Sequence, residues 1–507
     1  MKNLKSFAIV GSLALLGACT DLNVKETDSR VVTTTAGVFT GVDPVATLTS
    51  AYTDLRQWGD QANIYALNEV ASDELLVPTR GTDWGDNGVW RTIHQHTWDA
   101  THPQVLNTWN NIHRNLFKLS QLIDPRSKAT PAQVAAAKFL RAYWFFWAVD
   151  MYRQVPQRGL DDPRDLDPKV LTVQQSVDQI TQDLTDAIAG LPSVGPGGNT
   201  LGASKASANY LRAKFLLNKH IYLGGAPVAA DMTAVIAAVD AITADGFSLQ
   251  SGNYFDIFKE GSDSETILWT DTGVGNRMWN GLHYNQVSPD NTGGGWNGFS
   301  TYADFYAKFE GSATSNEVGN SQEPRRGFVP KDGSNLGIGF GFLVGQQYSA
   351  TGAKLKDRAG NDLIFTKDLP GLAGNNERTG IRVIKYHPVN GGFTSHNILM
   401  RYADAHLMKV EAILRGGTSA TSALTLYNQL RTIRGASTAT AVTLDNVYDE
   451  RGRELYIEGW RRNDQIRFGK FNTPYGFMQN TQDFRSVYPI PAIAVSSNPN
   501  LKQNPGY

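Results

Sequence analysis

Apolar residues return every three or four positions over much of the chain, and this spacing predicts helices in two blocks. In the first block Trp109, Ile112, Leu116, Leu119 and Ile123 form a 3-4-3-4 stripe, one face of a helix. Thr130-Pro131-Ala132-Gln133 then opens a second helix. Thr is placed to cap, Pro suits the first turn, and Gln three residues after the Thr completes a capping box. Its body, AAAKFLRAYWFFWAVDMY at 135–152, is so apolar that it must be buried on most sides. Thr172 and Gln175 repeat the box, and Val177, Ile180, Leu184, Ala187 and Leu191 repeat the stripe. Segments 206–223 and 229–243 supply two more helices. The second block predicts a helical hairpin, 402–415 and 421–434, turning at Gly416-Gly417, and a charged helix over about 445–460.

Between the blocks, residues 248–400 lose the helical period and gain glycine and asparagine. GIGFGFLVG at 337–345 alternates small and bulky side chains as a short strand does. The tail, VYPIPAIAVSSNPNLKQNPGY, carries four prolines and is expected to be extended. Helix pairs of this length suggest a tetratricopeptide-like superhelix, without that repeat's signature residues. The fold class expected is mostly α: a helical-repeat superhelix (about 105–245 and 400–460) packed against a loop-rich half (about 50–104 and 248–400) with a few short β-hairpins.

The loop-rich segments carry the candidate chemistry. Sugar recognition needs flat apolar faces against pyranose C–H groups and convergent amide, acid and hydroxyl partners for the oxygens. In TDWGDNGVWRTIHQHTWD, 82–99, Trp84, Trp90 and Trp98 sit among Asp83, Asp86 and Asn87. In NRMWNGLHYNQVSPDNTGGGWNGFS, 276–300, Trp279, Tyr284 and Trp296 sit among Asn280, Asn285, Asn291 and Asn297. These aromatics lack helical period, which makes them ligand-facing candidates; the competing reading is that they pack the loops onto the helices. The ligand-binding set is therefore Trp84, Asn87, Trp90, Trp98, Trp279, Tyr284, Trp296 and Asn297. His94, His96 and His102 lack a clear further ligand, so no metal is expected. No His-Glu-x-x-His, Gly-x-Ser-x-Gly or P-loop occurs, and the glycine run at 337–345 misses the dinucleotide spacing at Phe342. No catalytic residue or cofactor is expected. A glycosidase needs only two facing carboxylates, and 48 acids leave that alternative open.

The amino terminus and the composition bear on where the protein is sent. Lys2 and Lys5 precede an apolar run, 6–16, too short to span a bilayer, and small residues Gly17 and Ala18 follow. Cys19 is the sole cysteine, so no intramolecular disulfide can form. Leu16-Gly17-Ala18-Cys19 resembles the bacterial lipobox, whose cysteine is lipidated after the signal, here 1–18, is removed. Acyl chains on Cys19 would anchor the chain stably, each buried methylene adding about 0.8 kcal/mol. Thr20, where Asp resembles an inner-membrane retention signal, favours the outer membrane. Residues 19–35 read as the lipidated cysteine and a polar tether, and 36–507 as a single body. A formal charge of −1 implies no basic face for nucleic acid.

Four stretches together resemble the SusD/RagB family of outer-membrane lipoproteins: AAAKFLRAYWFFWAVDMYRQVP at 135–156, RYADAHLMKVEAILR at 401–415, YDERGRELYIEGWRRNDQIRFGK at 448–470, and the tail YPIPAIAVSSNPNLKQNPGY at 488–507. With the lipobox in front, the ordered set covers nearly the whole chain. The resemblance implies a helical body with four tetratricopeptide-like repeats and a loop-rich functional half. It implies a surface lid over a SusC-like TonB-dependent transporter, a partner to which the protein passes an oligosaccharide. A peptide, as in RagB-like members, is the alternative ligand; a surface glycoside hydrolase or a scaffold for other lipoproteins are the readings from other classes. Glu450, Glu454 and Glu458, at i, i+4, i+8 among Arg451, Arg453, Arg461 and Arg462, are expected to form an intrahelical structural network rather than a catalytic pair.

Overall fold

The computed structural model describes residues 38–261, 263–312, 321–389 and 392–507. The lipobox, Cys19 and the tether lie outside the described residues.

The body begins with α1 (Pro44–Asp54), α2 (Ile64–Glu69) and α3 (Val89–His94). The first predicted block then follows as five long helices: α4 (Pro103–Ile123), α5 (Pro131–Tyr152), α6 (Val173–Gly190), α7 (Lys205–Leu223) and α8 (Ala229–Ala244). Each packs on the next in chain order. Three start with a closed capping box: Thr130 with Gln133, Thr172 with Gln175, and Ser204 with Ser207. These boxes satisfy backbone donors that the first turn would otherwise leave open. Helix α5 has no polar face because α4, α6, α7 and α1 surround it. Its Trp147 meets Trp58 at 5.0 Å and stacks on Trp460 at 5.3 Å between ring centroids.

Chain order is then interrupted. A loop-rich excursion holds α9 (Gly275–Gly281), α10 (Ala303–Tyr306) and α11 (Gly392–Ser395). Its strands are short, like the β1–β2 hairpin (Val155–Gln157, Lys169–Leu171) that follows α5. They are β3 (Thr266–Thr270), β4 (Gly327–Phe328), β5 (Phe340–Leu343), β6 (Gly345–Gln346), β7 (Ile364–Phe365), β8 (Arg382–Ile384) and β9 (Asn397–Arg401). They pair antiparallel as β3-β9, β4-β5-β8 and β6-β7, with register shifts in β3-β9. The β3-β9 pair closes the excursion and returns the chain to α12 (Tyr402–Leu414), which packs on α8 as if the intervening residues were absent. Helices α13 (Ala423–Ile433), α14 (Leu444–Leu455) and α15 (Arg461–Arg467) complete the array.

Two predicted elements differ. The charged helix expected to about 460 stops at Leu455 and restarts as α15. Ile457 takes φ 54° and Gly459 φ 88°, and a Cβ on Gly459 would lie 2.7 Å from the Trp58 ring. The break is therefore a tertiary contact. The tail is not extended throughout: Ala492–Ser497 forms α16, since Pro491 sits just before the helix and no proline interrupts it. The rest of the tail runs back over α5, where Tyr488 N–H donates to Met151 O at 2.8 Å and Asn504 Nδ2 to Tyr152 O at 3.0 Å.

Candidate functional site

Segments 82–99 and 276–300 meet on one side of the loop-rich half, and 356–382 joins them. The first makes a tight left-handed run, with Trp84, Asp86, Asn87 and Gly88 all at positive φ. That run lifts Trp84 across the chain so that its Nε1 donates to Trp296 O at 2.9 Å. Gly298 permits the approach, because a Cβ there would lie 2.4 Å from the indole. Trp84, Trp90 and Phe299 form a three-ring cluster with centroids 5.6–5.9 Å apart in edge-to-face arrangement.

Beside the rings lies a charged array. Tyr284 donates to Asp83 Oδ2 at 2.6 Å, and the Arg358 guanidinium sits 3.9 Å over the Tyr284 ring while reaching Asp83 at 3.2 Å. Arg358 also pairs with Glu377. Burial and the Asp83 contact push the Tyr284 hydroxyl up to about 12, so it acts as a donor. Burial opposes ionisation of Glu377, but its bonds from Arg358 and His283 prevail and hold its carboxyl below the usual range. His283 is pushed down to about 4, chiefly by burial, and is neutral. Its Nδ1 accepts from Asn285 N–H at 3.1 Å, which leaves Nε2 to carry the proton and donate to Glu377 at 3.0 Å.

Two buried arginines fasten this face from beneath. Arg382 donates to Asn297 Oδ1 at 2.8 Å, Ser300 Oγ at 3.0 Å and Glu377 O at 2.9 Å. Arg80 donates to Ser300 Oγ at 2.7 Å and Thr379 O at 2.7 Å. Burial, and for Arg382 the nearby Arg80, lowers both from the ordinary guanidinium value. Arginine holds its charge even so, and the carbonyls take up its fixed fork of donors. Loops long enough to be mobile are thereby tied at named points.

The candidate residues separate by exposure. Trp296 is 42% exposed, Asn87 is exposed, and Trp84 and Tyr284 are half-buried, so these four can present surface to a ligand. Trp98 is corrected to an interior position: it is 1% exposed, donates to Tyr507 Oη at 2.8 Å and packs 4.7 Å from Tyr488. Asn297 is fully buried on Arg382. Trp90 and Trp279 are 6% and 7% exposed; Trp90 donates to Asp86 at 2.7 Å and backs Trp84, and Trp279 packs on Phe393. Asn297, Trp90 and Trp279 support the face instead of forming it, and Trp98 packs apart from it against the C-terminal tail. Arg358, Glu377, Arg80 and Arg382 were missed from sequence. Their partners lie up to 299 residues away, and charged residues in turns give no sign of what they pair with.

His94, His96 and His102 take separate partners: Tyr302, Ala71 O at 2.8 Å and Val89 O at 3.2 Å. Among the described residues no group of three His, Cys, Asp or Glu side chains is placed to hold a metal. The Glu450–Glu454–Glu458 row is buried in ion pairs, but largely to other elements. Glu454 meets Arg325, Arg401 and Arg434 at 2.7–3.0 Å, and Glu458 meets Arg401 and Lys385. Only Arg453–Glu450 is an intrahelical pair of the expected kind. Arg451 turns to Asp404 and Asp464, Arg461 to Asp73 and Arg462 to Asp150.

A family model described as "SusD family" matches residues 264–507, and one described as "Starch-binding associating with outer membrane" matches 24–217. The starch-binding protein SusD of Bacteroides thetaiotaomicron is 24% identical over 496 residues, covering 87% of this chain and 84% of that protein. Surface glycan-binding protein A from Bacteroides uniformis superposes with a TM-score of 0.68 at 17% identity, over 91% of this chain and 98% of that one. The corresponding Bacteroides thetaiotaomicron protein, solved in complex with laminarihexaose, gives 0.64 at 18% identity, over 91% and 98%. The chain belongs to the SusD/RagB family.

Proposed function

We propose that this protein binds an oligosaccharide on the face formed by Trp84, Tyr284 and Trp296 and does not itself cleave it. The observation that carries the reading is the meeting of these three aromatics, from segments about 200 residues apart, beside Asp83 and Arg358. Partly exposed rings supply the flat apolar surface a pyranose needs, and the charged array supplies fixed donors and acceptors. The relatives are named for starch and glycan binding, which supports the ligand class.

Lipid on Cys19 would hold the body at the outer-membrane surface, and a SusC-like TonB-dependent transporter would receive the ligand. Labelling with palmitate, with Cys19→Ala as control, tests the anchor; co-purification from membranes tests the partner.

Calorimetry with maltohexaose, laminarihexaose and peptides tests the site. Trp296→Ala should weaken the bound hexasaccharide about tenfold, a stacking loss near 1.4 kcal/mol, without changing the melting temperature. Unchanged affinity would remove this face from consideration. Binding of peptides alone would favour the RagB-like alternative, and release of shorter sugars at enzyme-like turnover would favour a hydrolase.

A further inference from the structure

Trp269 stands apart from the face just described, on β3, and lines two hollows. The first, of about 340 Å³, is lined by Tyr52 and Arg56, by Asn199 and Leu201, and by Trp269 and Asp271. The second, of about 250 Å³, is lined by Thr200, Glu260, Asp263, Trp269 and His396, with Gly197 and Gly198 opening its rim. Volumes of this order suit small ligands.

The indole is fixed in place. Its Nε1 donates to Thr200 Oγ1 at 3.0 Å, its backbone N–H donates to Thr200 O at 3.2 Å, and the His396 ring backs it at 4.6 Å between centroids. Yet Trp269 remains half-buried rather than covered. His396 adds a second, independent sign. The residue is 1% exposed, and both ring nitrogens lie buried without a hydrogen-bond partner among the described residues. Leaving such groups unmet is costly, so a partner is expected in the hollow that the ring lines. Burial pushes His396 down to about 4, so at neutral pH one nitrogen donates and the other accepts, as a hydroxyl requires.

We propose that the two hollows lined by Trp269 form a second carbohydrate site, which takes a short run of neutral pyranose rings across the indole and toward His396. Charge favours neutral sugars over anionic ones. Glu260, Asp263 and Asp271 face the hollows, while Arg56, the cation among the lining residues, is held by Asp271 through bonds of 2.8 and 2.6 Å. The ligand class rests on the glycan-binding reading above; the location does not.

The test uses the full chain labelled with 5-fluorotryptophan, with resonances assigned through Trp269→Phe, Trp84→Phe and Trp296→Phe. Maltohexaose and laminarihexaose are each added to about 10 mM, enough to populate a millimolar site. The Trp269 signal should shift and saturate, should do so equally in Trp296→Ala, and should need roughly tenfold more sugar in His396→Ala. A still Trp269 signal beside moving Trp84 and Trp296 signals would overturn this site and leave the first intact. Stillness of all three would overturn both. A Trp269 shift with a hexapeptide but neither sugar would overturn the ligand class.

Discussion

Trp98 and Trp296 come from similar glycine- and asparagine-rich contexts, yet one is sealed in the interior and the other is open. Their substitutions should differ accordingly. Trp98→Ala removes a buried indole and a hydrogen bond and should cost about 3–5 kcal/mol in denaturant unfolding, whereas Trp296→Ala should cost under about 0.5 kcal/mol. At the same scale, Glu69 and Glu74 form a buried acidic pair. Glu69 accepts from Gly459 N–H and Glu74 from Ile457 N–H, so the pair holds the break between α14 and α15. Burial raises both carboxyls, Glu69 to about 7, with Glu74 raised further by the Glu69 charge. A raised carboxyl stabilises the fold below its unfolded value and loses that contribution as pH rises through about 7. Glu69→Gln should therefore compare more favourably with the wild type at pH 8 than at pH 5 in urea unfolding. An equal difference at both pH values would contradict the pair's protonation.

At the scale of elements, the capping boxes act locally while the acidic row of α14 acts across the fold. Thr130→Ala removes one box at the start of α5 and should cost about 1 kcal/mol of unfolding free energy. Glu454→Gln uncouples Arg325, Arg401 and Arg434, all buried, and should cost about 3–5 kcal/mol, since guanidiniums lose their counter-charge inside the protein. The i, i+4, i+8 spacing of the glutamates was plain in the sequence. That their partners stand at the end of β9, on and just after α13, and in the turn before β4 was not, because helical spacing reports which residues share a face and nothing about what that face meets.

For the whole molecule, every one of the nine histidines is pushed below its ordinary value, chiefly by burial; His113 and His387, for example, fall to about 4. A depressed base is neutral in the fold and charged in the unfolded chain below pH 6.5. Stability is then fully present above that value and falls as pH drops toward 4. With about 1.4 kcal/mol per pKa unit per group, the loss should exceed about 5 kcal/mol. Glu450, drawn down to about 2 against burial by Arg325, Arg453 and Arg431, extends the decline below pH 4.5. Melting temperatures from pH 8 to 4 should fall steeply, opposing and outweighing the Glu69 effect.

The helical array was legible from the sequence because its causes are local: the 3-4-3-4 stripes, the Thr-x-x-Gln boxes and the all-apolar body of α5 each act within a few turns. The two aromatic segments were legible as candidates because composition marks loops that carry rings. Which rings stay open, where Arg358 and Arg382 fasten the loops, and where the helix after Leu455 breaks are set by packing in three dimensions. Those outcomes depend on residues hundreds of positions apart, such as Trp58 against Gly459 or Trp84 against Gly298. Close packing fixes such contacts only after the elements have come together, and no period along the chain encodes them.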